Sequence, residues 1–190
     1  DRIREKVARR SGWIERQLRV FEDLRPLPMP RRYVAGETHR YLGRQYRLRV
    51  TRGLEDRVRL QGPLLHVTTR APRDRARVRD LVRAWYGARA HDLLSARLGE
   101  CVSRGRAARL PLPSLVVRPM KVRWGSCTPR GRVTLNVDLV KTPVACIDYV
   151  ITHELCHLKA MNHGPEFRWL LARVMPDWVE RKRRLDRQEV

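Results

Sequence analysis

The sequence predicts an α+β fold in which a small, mostly antiparallel sheet packs against helices. Two observations support this class. From Tyr33 to Thr69, short runs of alternating hydrophobicity are separated by glycines, which is typical of strands joined by tight turns. In residues 73–104 and 143–158, apolar side chains recur at three- and four-residue steps, which indicates helices with one buried face.

The chain is predicted to consist of an N-terminal arm and one larger domain. Residues 1–24 have the apolar spacing of a basic amphipathic helix, and the prolines that follow, up to Pro30, predict a stiff connector. Residues 1–30 are therefore interpreted as a basic helical arm with its connector, and residues 31–190 as the domain. A length of 190 residues is sufficient for a hydrophobic core.

The domain is expected to begin with strands and a long helix. The alternating runs between Tyr33 and Thr69 predict an antiparallel meander. Residues 73–104 predict a helix with arginines on its outer face, in which Gly87 is a weak point for a bend.

A hairpin is expected directly before the next helix. Residues 115–140 contain LVVRPMKVRWGSC, the turn TPRG and RVTLNVDL, which read as a strand, a turn and a returning strand. Because the hairpin directly precedes a helix, its strands are expected to border any site on that helix.

The helix that starts near Pro143 carries the most informative motif. Thr142 is a candidate cap, and Pro143 suits the first turn, where a missing N–H costs nothing. His153 and His157 are four residues apart, so both imidazoles project from one side of the helix, with Glu154 beside them. His-Glu-x-x-His on a helix is a zinc-binding and general-base arrangement. The motif predicts a Zn²⁺ site in which Glu154 is the catalytic base.

A zinc site of this kind needs a third protein ligand. His163 follows six residues after His157, which is the third-histidine spacing of HExxHxxGxxH sites, with Ala160 in place of their glycine. The helix must then break after about Lys159, and Asn162, which tolerates left-handed backbone angles, could make the turn. Glu166 is the rival ligand.

We prefer His163 as that third ligand. Glu166 more naturally starts the next helix and, with Asn162, is expected to support the ligands from behind. The next helix is predicted over Phe167–Val174, with Trp169, Leu170 and Val174 facing inward. Pro176 interrupts it, and a last basic helix is predicted over Trp178–Leu185.

Composition limits the classes of function. The net charge is +22, which favours a nucleic-acid partner bound through an arginine-rich surface. The arginines are spread along the whole chain, however, and a bias in the source genome would produce the same composition. No apolar window approaches the eighteen or so residues of a membrane span, and the N-terminus lacks the apolar stretch of a secretory signal. The four cysteines form no CxxC pair, so we expect reduced thiols and a cytoplasmic protein.

Several motifs together resemble a known family. MKVRWGSC, TLNVDLVKTP, DYVITHELCHLKAMNHGPEF and MPDW are similar to the YgjP-like metallopeptidase domain family, and GETHRYLGRQYRLRV looks like its opening strands. The resemblance covers about residues 10–188. It implies a zincin-like fold and a metal-dependent hydrolase. By matched positions it also implies His153, His157 and His163 as metal ligands and Glu154 as the catalytic residue. More distantly, the chain resembles SprT-like proteases, which act on proteins bound or crosslinked to DNA.

The expected reaction is hydrolysis of a peptide bond by a zinc-activated water, with Glu154 as general base. Tyr149 and Arg123 are candidates for stabilising the oxyanion. Trp124 and Gly125 are candidates for binding substrate, because an exposed edge over Met120–Cys127 would hold an extended polypeptide by its main chain, and a glycine permits close approach.

Two other functions remain open. One is a basic nucleic-acid-binding protein with a structural zinc, which would need a fourth ligand such as Cys127 or Cys156. The other is a protease that acts on nucleic-acid-bound proteins. The oligomeric state is not predicted.

Overall fold

The computed structural model describes residues 4–12, 31–108 and 110–187. The chain divides into two compact units, Asp1–Arg31 and Arg32–Val190. In the first unit residues 4–12 are helical. The remainder of the predicted arm and its connector lies outside the described residues, so the proposed domain division stays a prediction. The second unit contains all the elements discussed below.

The first sheet has four strands in the order β1-β2-β4-β3. Its strands are β1 (Thr38–Tyr41), β2 (Arg44–Arg52), β3 (Arg57–Gln61) and β4 (Leu64–Thr69). The β1–β2 and β3–β4 pairs are antiparallel, but β2 and β4 pair in parallel. The predicted antiparallel meander is therefore wrong. In the hairpin of β3 and β4, it is β4 that pairs with β2, which buries Leu65 and Val67 beside Leu48. Strand β3 has fewer apolar side chains and forms the edge of the sheet.

The turn between β1 and β2 joins this sheet to the start of the helix that carries His153 and His157, which we call the histidine helix. Leu42 and Gly43 both have positive φ, 51° and 77°, the backbone geometry that a two-residue hairpin turn requires. Their N–H groups donate to the carbonyls of Val140 and Lys141 at 2.8 and 3.1 Å. A Cβ at position 43 would lie 2.7 Å from Pro143 Cγ, so glycine is required there.

A long helix, α1 (Arg75–Arg104), covers the inner face of the first sheet. Asp74 caps it by accepting hydrogen bonds from the N–H groups of Ala76 and Arg77. The predicted apolar stripe is buried, and the helix continues without a break through Gly87. The C-terminal part of α1 contacts the helix that carries His153 and His157, through Arg97 and Arg104.

The second sheet has three strands in the order β5-β7-β6: β5 (Ser114–Arg118), β6 (Gly125–Cys127) and β7 (Arg132–Asn136). The predicted hairpin turn is present between β6 and β7, which pair antiparallel, while β5 pairs with β7 in parallel. The single strand predicted from Leu115 to Cys127 is wrong, because residues 119–124 leave the sheet. Since β7 is the central strand, Thr134 and Asn136 are buried along with its apolar residues.

Three helices complete the domain: α2 (Val144–His157), α3 (Pro165–Val174) and α4 (Trp178–Asp186). Thr142 does not cap α2, because its hydroxyl donates to Leu139 O in the preceding 3₁₀ turn. Trp169 is 60% exposed, so its predicted inward position is wrong; Phe167, Leu170 and Leu171 form the buried side of α3. The α+β class is confirmed, with two small mixed sheets instead of one.

The histidine helix α2 is fixed to its neighbours by one buried carboxylate. Asp148 is 4% exposed and accepts from Arg97 Nε at 2.8 Å and from Arg104 at 3.0 Å, both on α1. Arg181 of α4 lies 3.8 Å from the same carboxylate. Ion pairs from two helices therefore meet about one turn before His153.

In the described part of the chain, no helix combines the length and apolar character needed to cross a membrane.

Candidate metallopeptidase active site

Three imidazoles converge at the C-terminal end of α2. His157 Nε2 lies 3.2 Å from His153 Nε2, and His163 Nε2 lies 3.0 Å from the same atom. All three candidate ligand atoms are within 4.8 Å of one another. Among the described residues, no other group of three or more His, Cys, Asp or Glu side chains could hold a metal ion.

The chain brings His163 back through a tight turn after α2. The helix ends at His157, slightly before the predicted break, and the N–H of Ala160 donates to Cys156 O at 3.0 Å. Lys159 Nζ donates to Ala108 O at 2.5 Å, which holds the turn against the end of α1. The turn is therefore fixed by hydrogen bonds that do not involve His163 itself.

His157 has the tautomer that a metal site requires. His157 Nδ1 lies 3.1 Å from the carbonyl oxygen of Ala160, and a carbonyl can only accept, so Nδ1 carries the proton. The lone pair of the neutral ring is then on Nε2, the atom that faces the other two imidazoles. Nitrogen lone pairs directed at one point repel unless a cation lies between them. The donor set therefore fits a bound divalent metal.

Phe167 supports all three rings. Its ring centroid lies 4.9 Å from that of His153, 4.6 Å from that of His157 and 4.7 Å from that of His163. Phe167 is 2% exposed, because the first turn of α3 faces the core. One apolar side chain thus limits the rotation of every candidate ligand and removes water from their outer side.

Burial determines the protonation of the imidazoles. It lowers the pKa of His153 to about 3, with further lowering by His157 and His163. Burial also lowers the pKa of His157. Both rings are therefore neutral at pH 7, which is the form that binds a metal.

Glu154 is a buried carboxylate next to the imidazoles. It is only 6% exposed, and burial raises the pKa of its carboxyl to about 7, partly offset by the positive charge of Arg123. A base with a pKa near the working pH combines a useful fraction of the ionised form with real proton affinity.

The edge strand β6 lies directly against Glu154. A Cβ at Gly125 would be 2.8 Å from Glu154 Oε1 and 2.9 Å from its Cγ. No side chain fits there unless the carboxylate moves. β6 pairs only with β7 in the second sheet, so its other edge is unpaired within that sheet.

These groups line one open cleft of about 350 Å³. One wall contains the three histidines, Glu154 and Met161 of the turn after α2. The other contains the end of the β5–β6 loop and β6: Arg123, Gly125, Ser126 and Cys127. The cleft combines a metal-binding triad, a buried carboxylate and a strand edge. Such a combination of groups is typical of sites for metal-assisted hydrolysis.

Comparison with known proteins agrees with this site. The sequence model of the family described as YgjP-like, metallopeptidase domain, matches residues 1–188. The chain belongs to the YgjP-like metallopeptidase family. As a member of this family it is a metal-dependent hydrolase that acts on polypeptides.

Two solved structures are also similar to the chain. The metallopeptidase zymogen abylysin of Pyrococcus abyssi is 22% identical and aligns over 48% of this chain and 90% of its own, with a TM-score of 0.43. The metallopeptidase zymogen jannalysin of Methanocaldococcus jannaschii is 22% identical and aligns over 48% and 86%, with a TM-score of 0.41. No match was found among curated proteins.

Within this YgjP-like site, some of the predicted residues do not contact the cleft. Tyr149 is buried and packs edge-on against His153 with ring centroids 5.8 Å apart, but it does not line the cleft. Burial raises the pKa of its hydroxyl to about 12. Trp124 is half-buried and borders a neighbouring cleft together with Arg123.

The two residues predicted to support the ligands are both exposed. Asn162 does not have the expected left-handed conformation, because the only non-glycine residues with positive φ in the described ranges are Tyr33 and Leu42. Glu166 lies in the first turn of α3. In the described part of the chain, neither side chain hydrogen-bonds to an imidazole; the support comes from Ala160 O and Phe167.

Asn136 is a site residue that sequence reasoning missed. Its side-chain nitrogen donates to the carbonyls of Met120 and Arg123 at 2.9 and 3.0 Å, and its oxygen accepts from the N–H of Asp138. It thereby holds the loop that carries Arg123 and leads to Gly125. The available signal was an asparagine between Leu135 and Val137 at the end of a predicted strand, because a buried amide needs several hydrogen bonds.

Proposed function

We propose that the chain is a zinc peptidase that cleaves extended segments of polypeptides. The observation that carries the proposal is the convergence of three imidazole Nε2 atoms beside a buried glutamate and an open strand edge. Two nitrogens bound at about 2.05 Å to a tetrahedral zinc ion are roughly 3.3 Å apart. The separations of 3.0 and 3.2 Å in this site are close to that value. A donor set of three imidazoles also favours zinc over calcium or magnesium, which prefer oxygen ligands.

His153, His157 and His163 would hold the metal and leave one position free, as catalytic zinc sites do. Zinc bound there would polarise the scissile carbonyl and lower the pKa of water towards about 7. Glu154 takes the proton of the attacking water on a carboxylate oxygen and then donates it to the leaving amine. Arg123, at the rim of the cleft, is our candidate for balancing the negative charge that develops on the carbonyl oxygen.

Substrate binding is proposed along β6. The free edge of Gly125–Cys127 offers main-chain groups to an extended peptide, which would add to the sheet as a further strand. Gly125 allows the scissile bond to approach Glu154 because there is no side chain between them. Binding of this kind depends on the main chain of the substrate, so broad side-chain preference and a need for unfolded segments are expected.

A structural zinc site is less well supported. Such sites normally have a fourth protein ligand. Cys156 is buried and Cys127 lines the cleft, yet neither belongs to the group of ligand atoms found among the described residues. Burial raises the pKa of Cys127 to about 11 and that of Cys156 to about 12, which disfavours the thiolates that bind zinc.

A cytoplasmic location, in which all four cysteines stay reduced, remains a prediction.

The proposal is tested with zinc-loaded protein and a library of unstructured peptides analysed by mass spectrometry. The wild type is expected to cleave peptides, and Glu154→Gln to keep zinc and fold while cleavage falls about 10²–10⁴-fold. Undiminished cleavage by Glu154→Gln would contradict the role of Glu154. Absence of zinc in the purified and reconstituted wild type would contradict the metal assignment.

A further inference from the structure

The outer face of the first sheet carries an array of arginines. Side chains alternate across each strand, and Leu48, Leu65 and Val67 are buried on the inner face. The strand register places the alternate residues of all four strands together on the outer face. Exposed arginines on this face come from β2 and β3: Arg47, Arg49, Arg57 and Arg59. We call these four residues the sheet arginines.

The sheet arginines form two rows with a trough between them. Arg49 pairs with His66 of β4, and His66 pairs in turn with Arg59. Because neighbouring strands are about 4.8 Å apart, the backbones of β2 and β3 are separated by roughly 10 Å. The floor of the trough over β4 consists of Leu64, His66 and Thr68, of which Leu64 lies beside Arg47.

This face is positively charged without internal compensation. The outward positions of the four strands include no aspartate or glutamate. In the described part of the chain, no carboxylate forms an ion pair with a sheet arginine; the nearby Asp56 pairs with Arg77 of α1. The two rows of like charge are roughly one Debye length apart and repel each other at low salt, so the array gains most from an anion with several charges.

The face has the chemistry to contact phosphates but not bases. Proteins that bind single strands stack bases on aromatic side chains, and the tyrosines of β1 and β2, Tyr41 and Tyr46, are on the inner side by register. A duplex hides its bases and presents regularly spaced phosphates, each of which a guanidinium can bind through two hydrogen bonds. The trough is flanked by guanidinium groups on both sides and therefore suits a duplex backbone.

We propose that the sheet arginines bind the phosphate backbone of a DNA duplex without base-sequence preference. The surface is separate from the cleft, because α1 covers the other face of the first sheet and none of the sheet arginines lines the cleft. This inference does not depend on the proposed peptidase mechanism. The proposal gives part of the net charge of +22 a function at one surface of the protein.

The test measures fluorescence anisotropy of a short labelled DNA duplex from about 50 to 200 mM salt. Four phosphate contacts contribute roughly −3.6 to the slope of log K against log salt. The variant R47Q/R49Q/R57Q/R59Q should lose affinity at least about tenfold at the low-salt end and show a slope shallower by about 3. The matched control R83Q/R130Q/R168Q/R183Q removes four exposed arginines from other surfaces. Its affinity should change less than about threefold.

Equal losses in the two variants would overturn the proposal and leave a diffuse charge effect. Failure of the wild type to bind duplex at low salt would do the same, as would tighter binding of a single strand or of polyglutamate. Thermal melting and zinc content verify that each variant is folded. If the quadruple variant does not fold, R47Q/R49Q and R57Q/R59Q replace it, each with about half the change in slope.

Discussion

Gly125 and Glu154 are in direct contact across the cleft: a Cβ on the glycine would lie 2.8 Å from the carboxylate oxygen Oε1 of the glutamate. Each residue restricts the other. The glutamate is buried against the backbone of β6, which contributes to its raised pKa, and the strand must have a glycine where the glutamate passes. The contact connects the proposed base to the proposed peptide-binding edge.

Gly125→Ala is expected to displace the Glu154 carboxylate while leaving the histidines in place. A misplacement of about 1 Å costs roughly 10²-fold in rate, so kcat/KM for peptide cleavage should fall by that factor with the zinc content unchanged. The control is Gly99→Ala, because the added methyl group on the exposed side of α1 meets no atom within 4 Å. Wild-type activity in Gly125→Ala would show that the contact does not matter.

His163→Ala and Glu166→Ala distinguish the two candidates for the third ligand. His163 Nε2 is 3.0 Å from His153 Nε2, whereas Glu166 is exposed on α3 and lies outside the ligand group. Metal analysis of the purified variants should find zinc lost from His163→Ala and retained in Glu166→Ala. The reverse result would make the site a two-histidine, one-glutamate centre.

Glu154 predicts a pH-dependent stability of the metal-free protein. Its pKa is about 7 in the fold against an ordinary value of 4.5. Between these values the unfolded state loses its proton first, so the free energy of unfolding falls as pH rises. The full cost above pH 7 is about 3 kcal/mol. In urea titrations Glu154→Gln should match the wild type near pH 4 and exceed it near pH 8. A constant difference between the two proteins would argue against the raised pKa.

Asp148→Asn is expected to loosen the attachment of α2 to α1 and α4. Removing one partner of a buried ion pair costs about 3 kcal/mol, here because Arg97 and Arg104 lose their common carboxylate. Urea unfolding at neutral pH measures the loss. Asp177→Asn is the control: Asp177 also pairs with Arg181, but its side chain is 51% exposed, so its loss should cost less than about 1 kcal/mol. Equal losses in the free energy of unfolding of the two variants would show that the burial of Asp148 does not increase its contribution to stability.

The histidine helix was the part of the fold best predicted from sequence. Its period, its length and the position of Pro143 are local properties, and the four-residue spacing of His153 and His157 determines their common side once the helix forms. The preference for His163 over Glu166 stays a prediction; among the described residues the geometry supports it, because His163 and not Glu166 belongs to the ligand group.

Predictions that depended on strand pairing failed more often. The alternation in β2, β3 and β4 predicts strands but not their neighbours, and the parallel pairing of β2 with β4 follows from burial of Leu48, Leu65 and Val67 under α1. In the same way, the long strand predicted from Leu115 to Cys127 is interrupted by a loop. The amide of Asn136, on the neighbouring strand β7, bonds to the backbone of that loop at Met120 and Arg123. The strand pairing has no local signature in the sequence, and the identity of Asn136 alone does not say which carbonyls its amide will bond.

The sequence by itself determined the chemistry of this protein: two histidines one helical turn apart with a glutamate between them, a third histidine after a turn, and a large excess of arginine. These follow from side-chain identity and helical period alone. Only the tertiary structure decided that Phe167 supports all three imidazoles, that Gly125 lies against Glu154, and that four arginines share one sheet face. Such contacts join residues far apart in the chain, and they are selected by how the whole core buries its apolar surface.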